Sequence, residues 1–176
     1  MFHIVNVESF LPVSRADARV IILGSMPGVA SLQAQRYYAH PRNAFWPIVA
    51  EICGFDAGLP YELRLAHAQD AGIALWDVLA SCVRPGSLDS DIDPESIRTN
   101  DFGGFFRAHP AIAAVFCNGG VAFRMFRARV VRVQPDLFAD VSVHQLPSTS
   151  PAHASMPVAK KSEVWRREVL PILSAS

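Results

Sequence analysis

Four short apolar runs stand out along the chain, Val20-Ile21-Ile22-Leu23 and residues 72–76, 113–117 and 141–146, the first three apolar at consecutive positions and the last interrupted by polar residues. Strands that read this way are buried on both faces, as in a parallel sheet covered by helices. Between the runs, apolar residues recur at helical spacing. That spacing predicts a helix over 43–53, with Phe45, Trp46, Val49, Ile52 and Cys53 near one stripe. It predicts others over 61–70, over 119–130 with Phe123 and Phe126, and over 160–173. The last has Ser162 as its N-cap and Val164, Trp165, Val169 and Leu170 as its apolar face. Residues 84–94, rich in turn formers and acids, predict a loop within a domain. The alternation predicts an α/β, three-layer sandwich around a central four-stranded, mainly parallel sheet.

Composition narrows this further. With 176 residues, 51% hydrophobic and 18% charged, the chain predicts one globular domain over 1–176 and excludes a disordered one. No apolar run approaches the ~18 residues of a membrane span. Met1-Phe2-His3-Ile4 lacks the basic-then-apolar order of a signal peptide. Cys53, Cys82 and Cys117 are odd in number, far apart and in apolar company, which predicts buried thiols in a reducing, cytoplasmic setting. Without C-x-x-C, no zinc or iron–sulfur site is expected. Net charge is zero, yet residues 1–106 carry 7 basic and 12 acidic side chains while 107–176 carry 9 and 4. The positive C-terminal part is the expected contributor to any polyanion-binding face.

Ligands of such a sheet bind beyond the carboxyl ends of its strands. The segments there are Gly24-Ser25-Met26-Pro27-Gly28, Asp77-Val78-Leu79, Asn118-Gly119-Gly120 and Pro147-Ser148-Thr149-Ser150-Pro151, all rich in small, polar or turn-forming residues. The first is neither a P-loop nor a dinucleotide fingerprint. With Tyr37-Tyr38-Ala39-His40-Pro41-Arg42-Asn43-Ala44-Phe45-Trp46 it resembles the uracil-DNA glycosylase superfamily. The resemblance is closest to the DNA-deoxyinosine (hypoxanthine-DNA) branch. That branch has G-S-x-P-G, Y-Y-A-x-P-x-N-x-F-W, L-W-D-V and L-P-S-T-S-P-A, which stand here in order at 24–28, 37–46, 75–78 and 146–152. The resemblance covers roughly residues 20–155.

It implies the following roles. A glycosylase flips its base out of the helix, grips it and breaks the C1′–N bond. Tyr38 is the candidate for stacking on the base, with Tyr37 in the core. Asp77 either reads the base edge, accepting from N1–H of hypoxanthine, or caps the following turn. Ser25, Met26, Pro27 and Gly28 present backbone to the base, and Asn118 shapes the pocket wall or starts a helix. The uracil enzymes carry aspartate or asparagine where Met26 stands and histidine where Leu146 stands. The deoxyinosine branch lacks both, and the resemblance makes Asn43 the catalytic substitute; an N-cap is its other role. Ser148, Thr149, Ser150 and His153 lie on a loop expected to enter the minor groove, and Arg84 is the candidate phosphate contact. His40 and His144 read as structural histidines, and Lys160 and Lys161 as solvated surface.

The implied activity is monofunctional excision of deaminated bases, chiefly hypoxanthine, leaving an abasic site. No lysine stands in a motif for Schiff-base chemistry. The partner is DNA containing deaminated bases, bound by a monomer with no cofactor, metal or membrane. A uracil or mixed-specificity glycosylase is the alternative within the superfamily. A non-catalytic DNA-binding relative and a small-molecule hydrolase are alternatives outside it.

Overall fold

The structure, a computed structural model, describes residues 5–175. The leader reading made on Met1 to Ile4 lies outside them. In chain order the strands are β1 (Asn6–Glu8), β2 (Val20–Gly24), β3 (Ile73–Asp77), β4 (Leu79–Val83), β5 (Arg98–Thr99), β6 (Ala114–Asn118) and β7 (Ser142–Leu146). The helices are α1 (Val29–Ala34), α2 (Phe45–Cys53), α3 (Tyr61–Asp70), α4 (Phe102–Ala108), α5 (Gly120–Phe126) and α6 (Val158–Ser174).

The four apolar runs form one parallel sheet in the order β3-β2-β6-β7. Side chains alternate across a strand, and the core divides accordingly. Ile21, Leu23, Ala74, Trp76, Val115 and Cys117 face α4 and α5, where Phe102, Phe105, Phe106 and Phe126 pack. Val20, Ile22, Ile73, Leu75, Ala114 and Phe116 face α2, α3 and α6, where Phe45, Trp46, Ile48, Tyr61 and Trp165 pack. In β2, β3 and β6 both faces are dry, which is why these strands are apolar almost throughout; β7, at the sheet edge, is partly exposed and carries Ser142, His144 and Gln145.

Several boundaries differ from the sequence reading. Helix α2 begins at Phe45, with Ala44 at its N-cap position. Helix α5 ends at Phe126 and continues as one π turn, Arg127–Val131. Helix α6 starts at Val158, so Ser162 is not its cap; that hydroxyl donates to Glu51 Oε2 at 2.6 Å instead. A second, antiparallel sheet, β1-β4-β5, had no clear sequence signal, its strands being two to five residues long. Helix α4 was also unread; two glycines interrupt its pattern, and Asp101 caps it by accepting from the Gly104 N–H.

Candidate active site

At the carboxyl ends of β2, β3, β6 and β7 lies a cleft of about 780 Å³. Its floor is the junction of β2 and β3, where Gly24 pairs with Asp77. A Cβ on Gly24 would stand 2.5 Å from Asp77 Oδ1 and 3.3 Å from the Tyr38 hydroxyl, so only glycine lets these two groups close over the strand end. Asp77 is 4% exposed, and its Oδ2 has no hydrogen-bond partner among the described residues. Burial, and then the charge of Asp89, push its pKa up to about 7, with Arg84 pulling the other way. It does not cap the turn after β3. There Val78 and Leu79 donate their N–H groups to the carbonyls of Gly24 and Ser25.

Tyr38 sits above this floor. Its backbone is left-handed, φ +55°, a conformation that costs a bulky residue roughly 1–3 kcal/mol. The strain is met by packing: its ring stacks on Phe45 with centroids 3.8 Å apart and planes 18° apart. Burial and Asp77 raise the phenol's pKa, so it stays neutral. Tyr37 turns the other way into the core, its hydroxyl donating to Leu11 O at 2.8 Å.

Asn43 lines the same cleft and does serve its helix: Oδ1 accepts from the Phe45 N–H at 3.0 Å. Among the described residues the amide nitrogen makes no hydrogen bond, which leaves a donor for a ligand. The next residue joins the loop after β7, the Ala44 N–H donating to Thr149 O at 3.0 Å. Thr149 is otherwise spent on Asn118. Its N–H donates to Asn118 Oδ1, and its Oγ1 accepts from Asn118 Nδ2, both at 2.9 Å. These two bonds fix the Asn118 amide in the cleft wall, with the second N–H of its amide nitrogen still to spare.

Ser25, Met26, Pro27, Gly28, Ser148, Ser150 and His153 complete the lining, with Arg124 from α5 at the mouth. Three expectations change here. Arg84 is no surface phosphate contact: it is 1% exposed, and its guanidinium donates to the carbonyls of Gly86 and Pro27, pinning the 84–91 loop over the first turn. Thr149 is 1% exposed, with its hydroxyl turned inward to accept from Asn118, so it is no surface contact for DNA. Lys161 is not solvated: it is 3% exposed and donates to His153 O at 2.7 Å. Four residues on, the Trp165 indole donates to Pro147 O at 2.9 Å, so α6 ties both ends of the 147–153 loop. His40 is structural, its Nδ1 accepting from the Arg42 N–H. His144 stacks on Phe116 away from the cleft lining.

Sequence reasoning missed Asp89. It lines the cleft, half-buried, and its Oδ1 accepts from the Ser25 hydroxyl at 2.6 Å. An acid in a turn-rich loop gives no signal of its own. No group of three or more potential metal ligands occurs among the described residues.

Known proteins resemble this chain in sequence and fold. The uracil DNA glycosylase superfamily pattern matches residues 11–174. A hypoxanthine DNA glycosylase of Methanosarcina barkeri is 35% identical over 113 residues, 64% of this chain and 70% of that one. Its counterpart in Methanosarcina acetivorans is 36% identical over the same shares. A solution NMR structure of a protein from M. acetivorans, provisionally assigned as a uracil DNA glycosylase, has a TM-score of 0.79 and 30% identity, covering 96% of this chain and 99% of that one. A pattern that fits nearly end to end, joined to a fold shared at this identity, means that the chain belongs to the uracil DNA glycosylase superfamily and is a DNA glycosylase.

Proposed function

We propose that the protein excises deaminated purines, chiefly hypoxanthine, from DNA by hydrolysis of the N-glycosidic bond, leaving an abasic site. The observation that carries this reading is the buried, unpartnered Asp77 carboxyl beneath Tyr38. A buried acceptor without a donor is costly, and the N1–H of a flipped hypoxanthine supplies one. Adenine has no proton at N1, so above about pH 7, where Asp77 ionises, the carboxylate meets the adenine lone pair and rejects it. Tyr38, backed by Phe45, stacks on the base at roughly 1–3 kcal/mol. The free amide nitrogen of Asn43 holds the attacking water at C1′. Ser148, Ser150 and His153 meet the DNA strand around the vacated position. No lysine lines the cleft among the described residues, consistent with hydrolysis rather than Schiff-base chemistry. The names of the two Methanosarcina relatives support the base preference.

Uracil is the second substrate to consider, because its N3–H beside a carbonyl presents Asp77 with the same edge. The test is single-turnover cleavage of oligonucleotides carrying inosine, uracil, xanthine or oxanine, single- and double-stranded. Inosine should be cleaved fastest. Faster cleavage of uracil overturns the purine preference, and DNA binding without cleavage of any of the four overturns excision.

A further inference from the structure

Two carboxylates line the cleft among the described residues, Asp77 and Asp89, and their surroundings differ. Asp77 is sealed at the floor without a donor. Asp89 stands in the wall, half-buried, and takes a short hydrogen bond from Ser25. Burial raises the pKa of both carboxyls, but at Asp89 the Ser25 donor and Arg84 work against it, whereas Asp77 has no donor among the described residues. Paired acids in unlike environments divide their work accordingly.

The chemistry needs such a division. As the base leaves, the sugar becomes cationic at C1′. A fixed anion, held in place before the reaction, stabilises that charge at little reorganisation cost. Met26, beside Ser25, offers none, and the Asn43 amide is neutral. We propose that Asp89 is a catalytic residue, the fixed anion that stabilises the cation at C1′ and accepts the proton of the attacking water. The inference rests on the glycosylase reading above. In the step, water oxygen forms the new bond to C1′. The C1′–N9 pair leaves with the base, one water proton passes to Asp89, and the departing base takes its proton from solvent.

The wall that carries Asp89 does not depend on its charge. Arg84 holds the Gly86 and Pro27 carbonyls, and Ser87 Oγ accepts from the Val29 N–H at 2.9 Å. Arg84 on its own loop, Asp77 on β3 and Cys82 on β4 are close enough to act on the charge of Asp89, and Tyr38, His40, Arg124 and His153 line the same cleft.

The experiment compares wild type with Asp89→Asn, Asp89→Glu and Asp77→Asn. It reads single-turnover excision of inosine against pH, melting temperature, and affinity for a duplex whose 2′-fluoro-deoxyinosine resists cleavage. Asp89→Asn should cut the rate roughly 10²-fold and flatten the acid limb of the profile. Affinity and melting temperature should stay near wild type, and Asp89→Glu should recover part of the rate. Asp77→Asn should instead weaken the affinity. A rate within threefold of wild type for Asp89→Asn overturns the proposal while leaving the glycosylase reading intact. So does a loss matched by an equal loss of affinity. A wild type inactive on every deaminated base overturns both.

Discussion

Asn43 has two functions to lose, and the structure lets them be separated. Its Oδ1 holds the Phe45 N–H in the first turn of α2, while its amide nitrogen is the donor offered to the cleft. Alanine removes both. Loss of the bond to the Phe45 N–H should cost about 1 kcal/mol, which for a domain of this size lowers the melting temperature by roughly 2–4 °C. Loss of one transition-state hydrogen-bonding group should lower single-turnover excision of inosine by roughly 10²-fold, about 2.7 kcal/mol. Aspartate removes only one function. Its carboxylate still accepts the Phe45 N–H but has no N–H to donate. Asn43→Asp should therefore melt like wild type and cleave poorly, a combination that a purely structural residue does not produce. Melting curves and rapid-quench cleavage at saturating enzyme make the comparison. If Asn43→Asp regains stability and full activity together, or if the alanine variant loses activity only in proportion to stability, Asn43 is a cap and nothing more.

Other outcomes follow from the same geometry. Gly24→Ala places a methyl 2.5 Å from Asp77 Oδ1 and should weaken binding of inosine-containing DNA at least tenfold, measured by anisotropy, while circular dichroism shows the fold kept. Because Asp77 is held up near pH 7, its folded form keeps a proton that the unfolded chain has released. Stability from this group is full below about pH 4 and is lost as pH rises to about 7. Asp77→Asn should thus exceed wild type in urea midpoint at pH 8, with the gap closing toward pH 5; a gap independent of pH refutes the assignment. Affinity for duplex DNA should fall with salt, and Arg124→Gln at the cleft mouth should flatten the slope by about one unit. Arg84→Met should lower the melting temperature and leave that slope unchanged, because its charge is buried against carbonyls.

The central sheet was legible because burial on both faces leaves an unbroken apolar run in the sequence, as in Val20-Ile21-Ile22-Leu23. The cleft was legible because the strand ends carry Gly24, Asp77, Asn118 and Pro147, and topology brings those ends together. What escaped was set by tertiary partners. Arg84 and Lys161 have side chains that usually reach water, and nothing nearby in sequence announces the carbonyls of Pro27 or His153 that hold them inside. Thr149 looked like a surface hydroxyl for the same reason, its partner Asn118 lying 31 residues away. Asp89 acquires its place only when the 84–91 loop folds back on Ser25.

The two bonds from α6 to the 147–153 loop bear on how a damaged site is found. A segment tied at Pro147 and at His153 by one helix has little freedom left to lose. On the proposed function it would meet the duplex as a preformed wedge, its ordering entropy already spent in folding. The deformation then falls on the DNA, whose bending and unstacking are easiest where a base pair is already weak. Search along intact duplex becomes a test of local stiffness, made by a rigid probe before any base reaches Asp77.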